Sequence, residues 1–467
     1  MGTEAELLSR LATIVGEANV LSGSRVSPDY GHDEGLATEP VAPLAVVQPR
    51  STAEVAGLVN LARQLGVPLT PRGSATGLSG GCVATPGGVL VAFNRMNKLL
   101  ELDLDNQVAV VQPGITLAEL DAHVRPEGLA YTVYPGESSA SIGGNVATNA
   151  GGMRAVRYGV TRHNVLGLEI VLGTGETARA GGKYVKSSTG YDLTQLVIGS
   201  EGTLALVTEA TLKLQPVFKH SATLLVPFPS LREITGAIPA ILRGGFGPTI
   251  LEYIDSLTMG SITASEGIDL GIPADVAATA SAYLVTVLEH RTAARIDEDV
   301  ETLGDLLVSH GALDVYVLPG QAAAALLQAR ERAFYVAKAA GANEIVDVVM
   351  PRARIADFLE EVGELAAKSG TFAVGCGHAG DGNIHLSVFQ GEEKAREAFL
   401  FELFTAAISL GGAISGEHGI GTAKRAAYLA LETPERLALM RRLKAAFDPD
   451  GILNPDKVFG PAKGELD

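Results

Sequence analysis

Hydrophobic and polar positions along this chain switch repeatedly between a strand period and a helix period. A short apolar run, Ala45–Gln48, precedes a stretch from Thr52 to Leu65 whose apolar residues return every three or four positions. Pro68–Pro71 reads as the next strand, followed by the glycine-dense segment Arg72–Cys82 and another apolar run, Gly88–Phe93. Val108–Gly114 predicts a strand, Thr116–His123 a capped short helix, and Val165–Leu172 a strand; the block Gly199–Leu214 closes a first region at about residue 220. The residues ahead of it predict a helix over Thr3–Gly16 and then irregular chain. From 221 onward, strands (Leu224–Pro227, Ala282–Glu289) alternate with helices (Ser230–Arg243, Thr292–Ser309, Arg354–Lys368) as far as residue 422. The remainder, 423–467, opens with one or two amphipathic helices over Ala423–Phe447 and ends in a turn-rich tail. No internal repeat or low-complexity tract appears.

Composition narrows the picture. A length of 467 residues exceeds one core and suggests roughly three domains. With 46% hydrophobic and 19% charged residues, the chain is globular rather than disordered. A net charge of −17 argues against nucleic acid and against docking on anionic lipid. Two cysteines, Cys82 and Cys376, are too few for a disulfide framework and fit a reducing compartment. No apolar run reaches the length of a membrane span, and the N-terminus is acidic, without a basic leader. A cytoplasmic protein, assembled as a homodimer, is the expectation.

The richest chemistry lies in Gly375–Phe389. Asp381-Gly382 between apolar residues predicts a two-residue hairpin turn, pairing Gly380 with Asn383, Ala379 with Ile384 and His378 with His385. Opposed residues share a face with Cβ atoms about 4.5–5.5 Å apart, close enough for two imidazoles to hold one divalent cation. Asn383 lies on that face as well. Ser415–Gly421 adds Glu417 and His418 in a glycine-rich loop. Two histidines and a glutamate suit a catalytic metal with an open position. The competing interpretation is a pair of core histidines and a solvated Glu-His turn.

Two glycine clusters, 72–81 and 143–152, mark places where backbone must approach something closely, and their N–H groups can cradle a pyrophosphate. The nicotinamide fingerprint is absent, since Gly73–Gly77 has the wrong spacing, and so is the Walker lysine signature.

The run Pro71–Gly81 resembles the phosphate loop of the FAD-binding domain of vanillyl-alcohol-oxidase-like (PCMH-type) flavoenzymes. Pro135 with Ser141–Asn145, and Ile198–Leu204, resemble its further flavin contacts. Lys186–Leu193, His378–His385, Gly416–Gly421 and Leu453–Lys457 narrow the likeness to FAD-dependent D-2-hydroxyacid dehydrogenases. That branch includes D-lactate dehydrogenase, D-2-hydroxyglutarate dehydrogenase and the flavin subunit of glycolate oxidase. The resemblance spans roughly residues 40 to 460.

It implies an α+β fold: a two-part FAD-binding domain (1–220), an antiparallel-sheet cap domain (221–422), and a C-terminal helical segment (423–467) returning to the flavin domain. The implied cofactor-binding residues are Pro71, Arg72, Gly73, Ser74, Thr76, Gly77, Leu78, Gly80, Pro135, Gly136, Ser141, Gly143, Gly144, Asn145, Gly151, Glu201, Gly202 and Asn454. Some relatives attach FAD through a phosphate-loop histidine; this loop has none, so non-covalent FAD is expected. The resemblance makes His378, His385 and Glu417 ligands of a divalent metal, zinc being the expectation, with Asn383 alongside. His418 is either the general base or a further metal neighbour. Arg330 falls where the substrate-carboxylate arginine would lie, although Leu327 stands where the family usually has tryptophan. Ile345 replaces the lysine that serves a second carboxylate in hydroxyglutarate enzymes, which favours D-lactate or glycolate. The electron acceptor would be external: quinone, cytochrome, electron-transfer flavoprotein or an iron–sulfur subunit. Two cysteines cannot hold a cluster in this chain. Ether-lipid alkyl transferases share the flavin domain, but no phosphate-binding cap or membrane-seeking surface is visible here.

Overall fold

The protein, described as a computed structural model, is defined over residues 4–460. Thr3, the expected helix start, and residues 461–467 of the C-terminal segment lie outside the described residues. Contacts divide the chain into two units: Met1–Ala150, Val160–Pro216 and Glu417–Asp467 form the first, and Gly151–Gly159 with Val217–Gly416 the second.

The first unit holds two small sheets. In one, β1 (Val20–Ser22) pairs antiparallel with β2 (Ala45–Val47), while β2 and β3 (Leu69–Arg72) both run parallel to β4 (Val89–Ala92). The helix Thr52–Leu65 supplies the crossover. It starts at Ser51, whose hydroxyl accepts from Glu54 N–H, and stops at Gly66 in the left-handed region at φ 64°. Val55, Leu58, Val59 and Leu61 cover the sheet from that helix. The second sheet is antiparallel, in the order β5 (Leu99–Asp103), β6 (Val108–Val111), β10 (Ala205–Lys213), β8 (Val165–Leu172), β9 (Thr177–Gly181); a separate two-stranded ribbon joins β7 (Leu129–Ala130) to β11 (Gln215–Pro216). The helix Leu117–Val124 is held by a capping box between Thr116 and Glu119. The C-terminal segment returns to this unit: Leu69 N–H donates to Ile452 O, and Asn454 N–H to Leu69 O. The expected α+β architecture with a returning C-terminal segment is what the structure shows.

The second unit is a seven-stranded antiparallel sheet. Its order is β15 (Tyr316–Leu318), β12 (His220–Phe228), β14 (Ala282–His290), β13 (Ile250–Asp255), β17 (Phe372–His378), β18 (Asn383–Phe389), β16 (Glu344–Val349). One face packs on the helices Ser256–Glu266 and Gly320–Glu331 through Leu225, Ile254, Val285 and Leu326. Among the described residues no helix is long and apolar enough to cross a membrane.

The hairpin of β17 and β18 differs from expectation. His378 opposes Asn383, Gly377 opposes Ile384, and Cys376 opposes His385, so four residues, Ala379–Gly382, form the loop. Asp381 is not half of a two-residue turn. Its carboxylate accepts from Asn383 N–H, while Gly382, at φ 96°, presses so close to Met350 O that a Cβ would sit 2.0 Å from it. Local dipeptide chemistry loses to this packing. The two-residue slip preserves the face, because side chains alternate with period two.

Candidate functional site

The first unit contains a cavity lined by both glycine clusters. Gly73, Ser74, Thr76 and Gly77 come from the loop after β3; Ser141, Gly143, Gly144 and Asn145 come from the helix Ile142–Thr148 and its cap. Gly73 approaches Ser141 so closely that a Cβ would lie 2.1 Å from its Oγ. Pro71, Arg72, Leu78, Pro135, Glu201 and Gly202 also line the cavity, and Glu417 and His418 reach its wall. Gly80, Gly136 and Asn454 lie off the lining, and Gly151 belongs to the other unit.

Several of these residues work by holding loops. Arg72 directs its guanidinium to Asp29 O (2.6 Å) and His32 O (2.8 Å), away from any phosphate role for its charge. Asp33, which the sequence did not flag, accepts from Gly80 N–H at 2.6 Å and pins the first glycine loop. Burial pushes its carboxyl above the ordinary value. Glu201 is 6% exposed and accepts from Ile420 N–H (2.8 Å) and Gly421 N–H (2.7 Å), so it clamps the loop carrying Glu417 and His418. Asn454, fully buried, donates to Gly81 O (2.9 Å) and Glu201 O (2.7 Å), tying the returning tail to the lining loops. Backbone donors around a walled cavity, with no cation required in the loop, fit the pyrophosphate of a dinucleotide flavin.

The second unit carries a continuous polar row on one face of its sheet. Arg330 Nη2 lies 2.8 Å from Glu252 Oε2, and Glu252 Oε1 lies 2.5 Å from His378 Nδ1. His378 Nε2 then faces His385 Nε2 at 3.2 Å, and His385 Nδ1 lies 3.9 Å from Asp347 Oδ1. Asp347 accepts from Asn383 Nδ2 (2.8 Å), Ser415 Oγ (2.7 Å) and Gly416 N–H (3.1 Å). Register explains the row. Cys376 opposes both Ile254 and His385, and Asp347 opposes His385, so Glu252, His378, His385 and Asp347 share one face.

Two imidazoles whose Nε2 atoms converge, each with Nδ1 turned toward a carboxylate, have the orientation of metal-ligating histidines. Burial raises the Glu252 carboxyl, but His378 and Arg330 outweigh that and hold it below its ordinary value. Asn383 donates through Nδ2 to Asp347 Oδ1 and to Val348 O (2.8 Å each), so it holds Asp347 in place. Arg332 points elsewhere, to Glu266 at 3.0 Å. Ile345, 9% exposed, opposes Ser387 on the His385 face. Glu252 and Asp347 are the functional candidates that the sequence alone did not single out. The available signal was an acidic residue at the buried phase of an apolar strand.

Residues 218–458 match the family described as "FAD linked oxidases, C-terminal domain", and residues 43–181 match the "FAD binding domain". An FAD-linked oxidoreductase of Mycobacterium tuberculosis is 52% identical, over 98% of this chain and 99% of its own length. The D-lactate dehydrogenase of Archaeoglobus fulgidus is 37% identical (88% and 90%), and glycolate oxidase subunit GlcD of Bacillus subtilis 36% (89% of each). Among solved structures, 4-ethylphenol oxidase from Gulosibacter chungangensis superposes with a TM-score of 0.79 at 19% identity over 98% of both chains, a likeness of fold alone.

Proposed function

The chain belongs to the FAD-linked oxidase family, and on that premise we propose that it oxidises a short D-2-hydroxy acid, D-lactate or glycolate, to the 2-oxo acid. The observation that supports this reading is the row Arg330–Glu252–His378–His385–Asp347, in which a buried guanidinium and a pair of converging imidazoles follow one another along one face of the sheet. Similarity to a D-lactate dehydrogenase and to a glycolate oxidase subunit supports the substrate class.

Non-covalent FAD, seated among the glycine loops, supplies the hydride acceptor. A divalent metal held at the paired imidazoles, zinc by its donor set, would supply Lewis acidity toward a substrate hydroxyl. His378 and His385 offer two ligands. The family resemblance adds Glu417, one peptide bond beyond Gly416, as the third. Arg330 orients the substrate by its C1 carboxylate through a forked hydrogen bond. His418 would accept the proton of the substrate hydroxyl, or stand as a further metal neighbour. Asn383 and Ser415 act through Asp347, which steadies His385.

Ile345 sets the substrate length. An apolar side chain stands where a longer diacid would need a cation, and an unpaired carboxylate is costly to bury. Losing one charge-assisted contact is worth about 1.5–3 kcal/mol, or roughly one to two orders of magnitude in kcat/KM. The test is a panel of D- and L-2-hydroxy acids with an artificial dye acceptor, before and after chelation. D-lactate or glycolate should outperform D-2-hydroxyglutarate by that margin, and chelation should abolish turnover. Failure of the flavin- and metal-loaded protein to oxidise any 2-hydroxy acid refutes the assignment. The likeness to a glycolate oxidase subunit favours one second reading, a flavin subunit passing electrons to an iron–sulfur partner. Dye-dependent turnover by the isolated chain would argue against it.

A further inference from the structure

We propose that Glu252 is a positioning residue serving both halves of the substrate site at once, holding the arginine that binds the carboxylate and the histidine that faces the metal. This rests on the roles given above to Arg330 and His378. Glu252 lies in β13 and is fully buried; Arg330 is 8% and His378 5% exposed. Its two oxygens are divided: Oε2 lies 2.8 Å from Arg330 Nη2 in an ion pair, and Oε1 is hydrogen-bonded to His378 Nδ1 at 2.5 Å.

Each arm has a separate consequence. A carboxylate on His378 Nδ1 keeps the proton on that nitrogen, which leaves the Nε2 lone pair directed at His385 Nε2, 3.2 Å away. A carboxylate on Arg330 keeps a buried guanidinium charge-compensated, with its fork aimed from the last turn of the helix Gly320–Glu331 toward the sheet face. A single anion therefore sets the geometry of both the metal-facing and the carboxylate-facing groups. Neutralising it disturbs both, whereas removing either partner disturbs one.

The experiment compares wild type with Glu252→Gln, Arg330→Met and the double variant, all with FAD bound. Zinc affinity is read by competition with a chromophoric chelator, and KM and kcat are measured for D-lactate. Glu252→Gln should weaken zinc binding about 10–100-fold, the usual range for losing an outer carboxylate on a metal-bound histidine, and should also raise KM. Arg330→Met should raise KM yet leave zinc affinity within about threefold of wild type, since the His378 arm is intact. Glu252→Gln removes a counter-charge from a buried cation and is liable to misfold. The double variant lacks that cation and reads the His378 arm alone, so it should show the full loss of zinc affinity. Wild-type zinc affinity in the double variant overturns the proposal, as does equal loss of zinc in Arg330→Met. Wild type that binds no zinc overturns the metal assignment instead, so the two failures are distinguishable.

Discussion

Replacing Glu201 measures what one buried carboxylate contributes to the loop that carries Glu417 and His418. Its oxygens accept from Ile420 N–H at 2.8 Å and Gly421 N–H at 2.7 Å, and the residue is 6% exposed. Glu201→Ala leaves both donors unsatisfied where water has little access. Hydrogen bonds to a charged group are worth about 1.5–3 kcal/mol each, so two amount to about 3–6 kcal/mol. One term opposes this. Burial pushes the Glu201 carboxyl above its ordinary value, so ionisation in the folded protein is itself penalised. A raised carboxyl contributes stability that is present below its unfolded pKa and lost as pH rises through the folded one. At neutral pH the net loss should therefore fall near the low end, about 3 kcal/mol, or about 6–12 °C in Tm for a body of this size. Glu201→Gly provides the control. Residue 201 sits at φ 51°, a left-handed conformation that costs most side chains about 1–2 kcal/mol, so glycine relieves strain while still removing the carboxylate. It should be less stable than wild type but more stable than alanine. Glu201→Gln keeps one acceptor and should lie between wild type and alanine, with the wild-type advantage growing as pH falls toward the ordinary carboxylate range. Differential scanning calorimetry gives Tm, and atomic emission gives metal content, which should fall as the loop loosens. An alanine variant with unchanged Tm and unchanged metal content would refute the clamp.

Acid precipitation should release all the yellow colour into the supernatant, because no histidine lies in the phosphate loop; colour retained on the protein pellet would exclude non-covalent FAD. His385→Ala removes the Nε2 that lies 3.2 Å from His378 Nε2, so bound metal and most turnover should be lost. The flavin spectrum should survive that change, since the cavity lining comes from the first unit. Full activity in rigorously metal-free wild type would sink the metal requirement.

Period and punctuation by themselves determined much of this molecule. The helix Thr52–Leu65 and the strand Val165–Leu172 lie where their spacing predicts, and the cluster 72–81 and the Gly143–Asn145 part of the cluster 143–152 face a cavity, whereas Gly151 and Gly152 belong to the other unit. The sequence also announced the hairpin and put His378 and His385 on one face. Both follow from near-neighbour chemistry, which a linear sequence records. Register did not follow: a four-residue loop replaced the Asp-Gly turn, and Gly382 in that loop packs against Met350 O, a residue distant in the chain just past β16. Nor did the partners of the site. Glu252 meets His378 across 126 positions only because β13 lies beside β17, and Asp347 meets His385 only because β16 pairs with β18. Arg72 showed the converse, a cation in a phosphate-type loop that folding turned toward Asp29 and His32. Local spacing specifies elements and faces. Which elements become neighbours depends on sheet order, and that is set by burying all the apolar faces together, so these partners emerge only from the tertiary structure.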